Sequence, residues 1–295
     1  MQARCVLALP VLDPGGLRRD FWRNIMSGDD GMARRIDLNC DMGEGFGAYV
    51  IGDDSAMMAL VSSANVACGF HGGDPSVMRD TITLAREHGV SVGAHPSFQD
   101  LHGFGRRRIS GERPEDLEAQ LIYQISAMQG MCAAHGHRMT HVKPHGALNN
   151  MAAADPDLAA LCVRAVQRVD PDLVYVSLPY SETWTAAERA GLRLACEIYA
   201  DRSYTDEGAL TPRSAPGAVI HDPAQSLDQV LEMVVNGHIP TTGGKRLPVE
   251  PATLCVHGDT PGAVDIARAL RTALEENGIT IAPFAGAGAA AAAGR

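Results

Sequence analysis

Seven short apolar runs, each leading into a polar or glycine-rich break, constrain this chain more than any other feature. They are Ile36–Asn39, Ala64–Ala67, Val90–Ala94, His141–Val142, Leu173–Ser177, Arg193–Cys196 and Thr253–Val256. Helical stretches alternate with them. Leu117, Leu121, Ile125, Met128 and Cys132 step by four and three along one helix face, and Val264, Ala267, Leu270 and Leu274 do the same within 263–275. Asp74-Pro75, Asp155-Pro156, Asp222-Pro223 and Thr260-Pro261 mark helix starts. Each sets a capping side chain before a proline at the first helical position, where the missing N–H costs nothing. Strand–helix alternation repeated in this way requires a parallel sheet. No G-x-G-x-x-G follows the first run, which weakens a dinucleotide-binding reading. The expectation is a closed or nearly closed (β/α) barrel rather than an open doubly wound sheet, and 295 residues suffice for one.

The barrel is expected over residues 35–284. Residues 1–34, with Gly15-Gly16, clustered arginines and no sustained period, are expected to be a poorly ordered extension, with Met26 and Met32 as alternative starts. The alanine- and glycine-rich stretch 285–295 is expected to be a disordered tail. A net charge of −10 argues against nucleic acid as a partner. Seven cysteines, an odd number without a C-x-x-C pair, point to reduced, buried thiols in a cytoplasmic protein. No apolar run approaches a membrane span. Residues 5–12 contain Pro10 and lack a small-residue cleavage pattern, which speaks against a signal peptide.

The residues that follow each run carry the chemistry. They are Asn39, Asp41 and Glu44 after the first, Cys68, His71 and Asp74 after the second, and His95 after the third. Lys143 and His145 follow the fourth, Glu197, Asp201 and Arg202 the sixth, and His257 and Asp259 the seventh. In a barrel these ends meet at one rim, so residues distant in sequence share one pocket. Imidazole and carboxylate suit a divalent transition metal, with Asp41, His71 and His145 as the candidate ligands. The alternative is a metal-free site in which the histidines act as acid, base and hydrogen-bond donors. Cys68 and Cys40, beside glycine turns and near a helix start, are candidate nucleophiles if the helix terminus favours thiolate, or else small core residues. Lys143 is either an anion holder or a surface lysine. No G-x-x-x-x-G-K-[ST] occurs, so a nucleotide must be held by other means or by another protein. The long loops 95–113 and 198–221, rich in arginine, proline and aromatics, read as lids or binding loops.

The segments IDLNCDMGEGFGAY, ANVACGFHGGDPSVM, GVSVGAHPSFQDLHGFGRR, HVKPHGALNNMA, ADRSYTDEGALTPRSAPGAVI and TLCVHGDTPGA together resemble the LamB/YcsF lactam-utilisation family, from about Arg35 to about Pro283. Gly45, Phe98 and Asn149 depart from the family pattern at the edges of these segments, which bears on fine substrate preference. The resemblance implies a seven-stranded (β/α) barrel related to the glycoside hydrolase/deacetylase superfamily. It implies hydrolytic ring opening of 5-oxo-L-proline to L-glutamate, coupled to ATP cleavage with Mg²⁺, alongside 5-oxoprolinase subunits B and C. A five-membered lactam holds its amine and carboxyl carbon together, worth roughly 7–11 kcal/mol, so opening needs a driving reaction. In that scheme Asp41 or His71 is the base for water, and His145 or His257 the acid on the leaving nitrogen. Lys143 and Arg202 hold a carboxylate or phosphate, and Asn39, Glu44, Asp74, His95 and Asp259 complete the binding set. The competing expectations are a metal-dependent deacetylase or amidohydrolase acting on an N-acyl or carbohydrate substrate, and a non-catalytic binding component of an assembly.

Overall fold

The computed structural model describes residues 34–258 and 262–285. The expected extension, most of the tail, the Thr260-Pro261 helix start and Asp259 therefore lie outside the described residues, apart from Arg34 and Ala285. The strands are β1 (Arg35–Met42), β2 (Ser63–Ala67), β3 (Ser91–His95), β4 (Met139–Val142), β5 (Val174–Ser177), β6 (Arg193–Tyr199), β7 (His238–Pro240), β8 (Arg246–Pro248), β9 (Thr253–Val256) and β10 (Thr280–Ile281). The helices are α1 (Asp54–Met58), α2 (Pro75–His88), α3 (Pro114–Ala134), α4 (Gly146–Ala152), α5 (Pro156–Val169), α6 (Glu182–Ala190), α7 (Pro223–Val234) and α8 (Ala263–Glu276).

Strands β1 to β6 lie side by side in chain order, all parallel. β9 pairs with β6 and also with β1, with Asp37 opposite Thr253 and Asn39 opposite Cys255. This closes a seven-stranded parallel barrel, and the expected (β/α) barrel is what the chain forms. β10 adds a short parallel pairing at the start of β1. β7 and β8 make a small antiparallel hairpin that the sequence reading missed. Their segments are three residues long and each ends in proline, so no alternation was there to read.

Two barrel strands run well past the carboxyl ends of their apolar stretches. β1 continues past Asn39 to Met42, and β6 past Cys196 to Tyr199. The reason is the barrel's interior. Alternation places Ile36, Leu38, Cys40 and Met42 outward, each at most 1% exposed, and Asp37, Asn39 and Asp41 inward. Burying each large outward side chain contributes roughly 1.5–3 kcal/mol. The inward face is polar, so a run judged by hydrophobicity stops too early. Gly93 of β3 makes room there, since a Cβ at this position would lie 2.1 Å from the His141 ring.

The helix starts behave as their sequences require. Asp74, Asp155 and Asp222 each precede a proline at the head of a helix and accept hydrogen bonds from first-turn amides. On α3 the residues Leu117, Leu121, Ile125, Met128 and Cys132 are all buried. Among the described residues, no helix is long and apolar enough to cross a membrane.

Candidate active site

A ladder of polar side chains fills the barrel interior. Near the bottom, Asp37 accepts hydrogen bonds from Ser62 and Ser63, both at 2.6 Å, and from Thr253. Burial pushes its carboxyl up to about 6 despite these donors. Above it, the Asn39 amide donates to Thr253 Oγ1 at 2.6 Å and to Glu197 Oε1 at 3.2 Å. The Asn65 amide donates to Asn39 Oδ1 at 2.7 Å and Asp41 Oδ1 at 2.9 Å. His141 Nε2 lies 3.0 Å from Asn65 Oδ1.

Lys143 crowns the ladder. It is 2% exposed, and its ammonium reaches Glu197 at 2.8 Å, Asp41 and Cys255 at 3.1 Å each, and Asn39 at 3.3 Å. Burial alone would discharge this lysine, but the neighbouring Asp41 and Glu197 carboxylates more than reverse that and hold its pKa well above the ordinary value. Asp41 responds in kind. Burial works to raise its pKa, yet His95 and Lys143 together hold it well below the usual carboxylate range. Asp41 is thus an ionised carboxylate at the open end of the barrel.

Beside it three imidazoles pack together. His71 and His145 stack with centroids 3.8 Å apart and planes 6° apart, and His95 meets both edge-on. His95 Nε2 lies 3.3 Å from Asp41 Oδ2 and 3.0 Å from His145 Nδ1. Glu44 Oε1 lies 3.3 Å from His71 Nε2 and 3.4 Å from His145 Nδ1. Burial first, and neighbouring imidazoles second, hold the pKa values of His71 and His145 well below the ordinary histidine value. The loop after β3 roofs this cluster. Phe104 stands edge-on to both stacked rings, and its carbonyl lies 2.8 Å from His145 Nε2. Gly105, at φ +62°, makes the close approach possible. A Cβ there would fall 2.7 Å from His145 Cδ2 and 2.8 Å from His71 Cβ.

On the other wall His257 faces the same space. Its Nδ1 lies 2.8 and 2.9 Å from the two oxygens of Asp201, which fixes the hydrogen on Nδ1 and turns Nε2 outward. Arg213 Nη2 donates to Nε2 at 3.1 Å. Asp41, His95, Lys143, Arg108, Arg213 and His257 contribute to the lining of a cleft of about 560 Å³.

The expected residues divide three ways. Asp41, Glu44, His71, His95, Lys143, His145 and His257 converge at the rim, and Asn39 supports Lys143 from within the barrel. Asp74 is spent elsewhere, accepting from the amides of Gly47, Ser76 and Val77 at the head of α2. Arg202 is buried, donating to the carbonyls of Thr211 and Ala218, so it braces loop 198–221. The nucleophilic-cysteine option is corrected. Cys68 is buried and its thiol is pushed up to about 12 by burial, the opposite of thiolate activation, and burial raises Cys40 as well. Lys143 is no surface lysine. Glu197 and Asp201, placed after the sixth run by the sequence but given no role there, hold Lys143 and His257. Arg213 was read only as part of a long loop, and the fold brings it to His257.

The chain is similar to known proteins. Residues 36–289 match the model of the LamB/YcsF family. The chain is 51% identical over 251 residues to a protein of Rhodopseudomonas palustris (strain BisB5) named as the A subunit of 5-oxoprolinase, covering 85% of this chain and 99% of that one. It is 50% identical to a Bradyrhizobium diazoefficiens protein named as a second A subunit of 5-oxoprolinase, covering 85% and 98%. Among solved structures, a lactam utilization protein from Thermus thermophilus superposes with a TM-score of 0.80 at 44% identity, over 85% of this chain and 100% of that one. A putative cellobiose-phosphate cleavage protein of Enterococcus faecalis V583, at 13% identity and a TM-score of 0.52, shares the fold.

Proposed function

This chain belongs to the LamB/YcsF family, and on that basis we propose that it is the A subunit of a 5-oxoprolinase, hydrolysing the cyclic amide of 5-oxo-L-proline to L-glutamate. The observation that carries this reading is a rim cleft holding an ionised carboxylate, a carboxylate-held histidine and exposed arginines, in a chain whose relatives bear that name. A lactam with one carboxylate needs a cation to seat it. Lys143 and Arg202, the cations expected from the sequence, are already committed to partners. Arg108 and Arg213 are exposed in the cleft wall and take that role.

Seating the carboxylate on Arg213 draws it from His257 and leaves Nε2 open, while Asp201 keeps the ring oriented. His257 then exchanges a proton with the attacking water or the leaving nitrogen. Asp41, ionised beside it, orients the water.

ATP with Mg²⁺ is handled with partner subunits B and C, since no P-loop is present in this sequence. There the γ-phosphoryl group passes to the lactam oxygen and ADP leaves. In the barrel one water adds to the activated carbon and the C–N bond breaks as the nitrogen is protonated. A second water cleaves the resulting acyl phosphate, giving glutamate and phosphate.

The test is glutamate release from 5-oxoproline, with and without ATP, by this protein alone and mixed with candidate B and C subunits. ATP-dependent release in the mixture alone is the expected result. No release under any condition removes the reading, and turnover of N-acyl substrates by the isolated chain would favour a deacetylase instead.

A further inference from the structure

Two backbone carbonyls decide where the hydrogens sit in the imidazole cluster. His95 Nδ1 lies 2.6 Å from the carbonyl of Lys143, and His145 Nε2 lies 2.8 Å from that of Phe104. A carbonyl oxygen only accepts, so these nitrogens carry the ring hydrogens. A neutral imidazole has one hydrogen to give. In neutral rings His95 Nε2 and His145 Nδ1 would face each other across 3.0 Å as two lone pairs, a gap that either a shared proton or a metal ion fills. Such a contact is repulsive unless something positive lies between them. Glu44 Oε1 brings further negative charge to within 3.4 Å of His145 Nδ1. His71, fully buried, keeps an Nδ1 with no hydrogen-bond partner among the described residues. A buried imidazole with one orphaned nitrogen, stacked on His145 in the same cluster, calls for an explanation.

We propose that Glu44, His71, His95 and His145 form a binding site for one divalent transition-metal ion of the Zn²⁺, Mn²⁺ or Co²⁺ type. Each offers one ligand atom, these atoms lie within 4.8 Å of one another, and all four residues are buried. Three imidazoles and a carboxylate are the donor chemistry such ions select. The carbonyl-held hydrogens on His95 and His145 are the usual outer support of metal-bound imidazoles, fixing the ring and raising its basicity. The set keeps His71 and His145 from the sequence expectation, while Asp41 turns Oδ1 to Lys143 and Asn65 and brings Oδ2 to 3.3 Å from His95 Nε2 at the edge of the group. Held by these four residues, such an ion would acidify a water bound to it. The site stands whichever substrate the cleft takes.

The test uses the full chain, stripped with dipicolinate and dialysed in turn against Zn²⁺, Mn²⁺ and Co²⁺, with elemental analysis and Co²⁺ absorption as readouts. About one ion per chain is expected for at least one metal. Glu44→Gln and His71→Asn should each bind about tenfold or more weakly, with circular dichroism unchanged. Negligible retention of all three metals by the wild type overturns the proposal, because a shared proton then fills the gap. Equal binding by both variants overturns it too. Should the variants misfold, X-ray absorption of the metal-loaded wild type decides: two or three imidazoles in the shell support the site, and one or none overturns it. Loss of lactam turnover with metal binding intact would count only against the 5-oxoprolinase reading.

Discussion

Lys143 gathers Asp41 and Glu197 onto one buried ammonium. Removing one member of such a group strands the others, which costs far more than the pair contributes in water. Lys143→Met should therefore lower the free energy of unfolding by about 3–5 kcal/mol, read from urea midpoints at constant m-value. A loss below about 1 kcal/mol would mean the carboxylates find water or protons instead, and the ladder does not hold Asp41 in place. This residue also shows how far side chains could be read from sequence. That a lysine leaving a strand can point into the pocket was legible. That it is saturated by partners was not, because saturation depends on residues as far apart as Asn39 and Cys255. The same holds for Arg202, whose arginine character suggested an anion while its geometry commits it to two carbonyls.

At the scale of elements, the loop after β3 is the part of the site most exposed to a small change. Gly105 sits at φ +62°, and an added Cβ would meet Ser97 Oγ at 2.5 Å as well as the two imidazoles. Gly105→Ala should destabilise the fold by about 1–3 kcal/mol. By moving the Phe104 carbonyl that orients His145, it should also lower kcat more than it raises KM for the reconstituted activity. An alanine variant with unchanged kcat would show that the roof has no part in turnover. The alternation of strands and helices was plain from the sequence, as were the proline-marked helix starts, because both rest on local patterns. Most strand ends were legible to within two residues. β1 and β6 outran their apolar runs because Asp41 and Glu197 satisfy one another's charge needs through Lys143 inside the barrel. The β7–β8 hairpin left no local trace. The rim convergence of His71, His95, His145 and His257 followed from the fold class alone, whereas the pairing of Asp201 and Arg213 with His257 depends on how their loop folds.

For the molecule as a whole, the polar interior makes stability respond to pH in two opposed ways. The folded pKa of Asp37, about 6, lies above its unfolded value of 3.8, so the folded chain holds that proton more tightly. This stabilisation is present below about pH 4 and is lost as pH rises through 6, about 3 kcal/mol in all. His71 and His145 act the other way. Their folded pKa values lie well below 6.5, so stability is lost as pH falls through the unfolded histidine value. The windows overlap, and only a difference isolates one group. The unfolding free energy of Asp37→Asn minus that of the wild type should climb by roughly 3 kcal/mol between about pH 4 and 7. A flat difference would mean that Asp37 titrates normally. The closing of the barrel has another consequence, one of timing. Asp37 and Thr253, which hydrogen-bond across the seam, are 216 residues apart. Contacts of that span form late, after the entropy of a long loop has been overcome. A chain leaving the ribosome exposes Asp37, Asn39 and Asp41 well before Thr253 and Cys255 exist to receive them. The rim is thus completed by the last barrel strand to be synthesised, and no shorter nascent chain can hold the ladder that supports it.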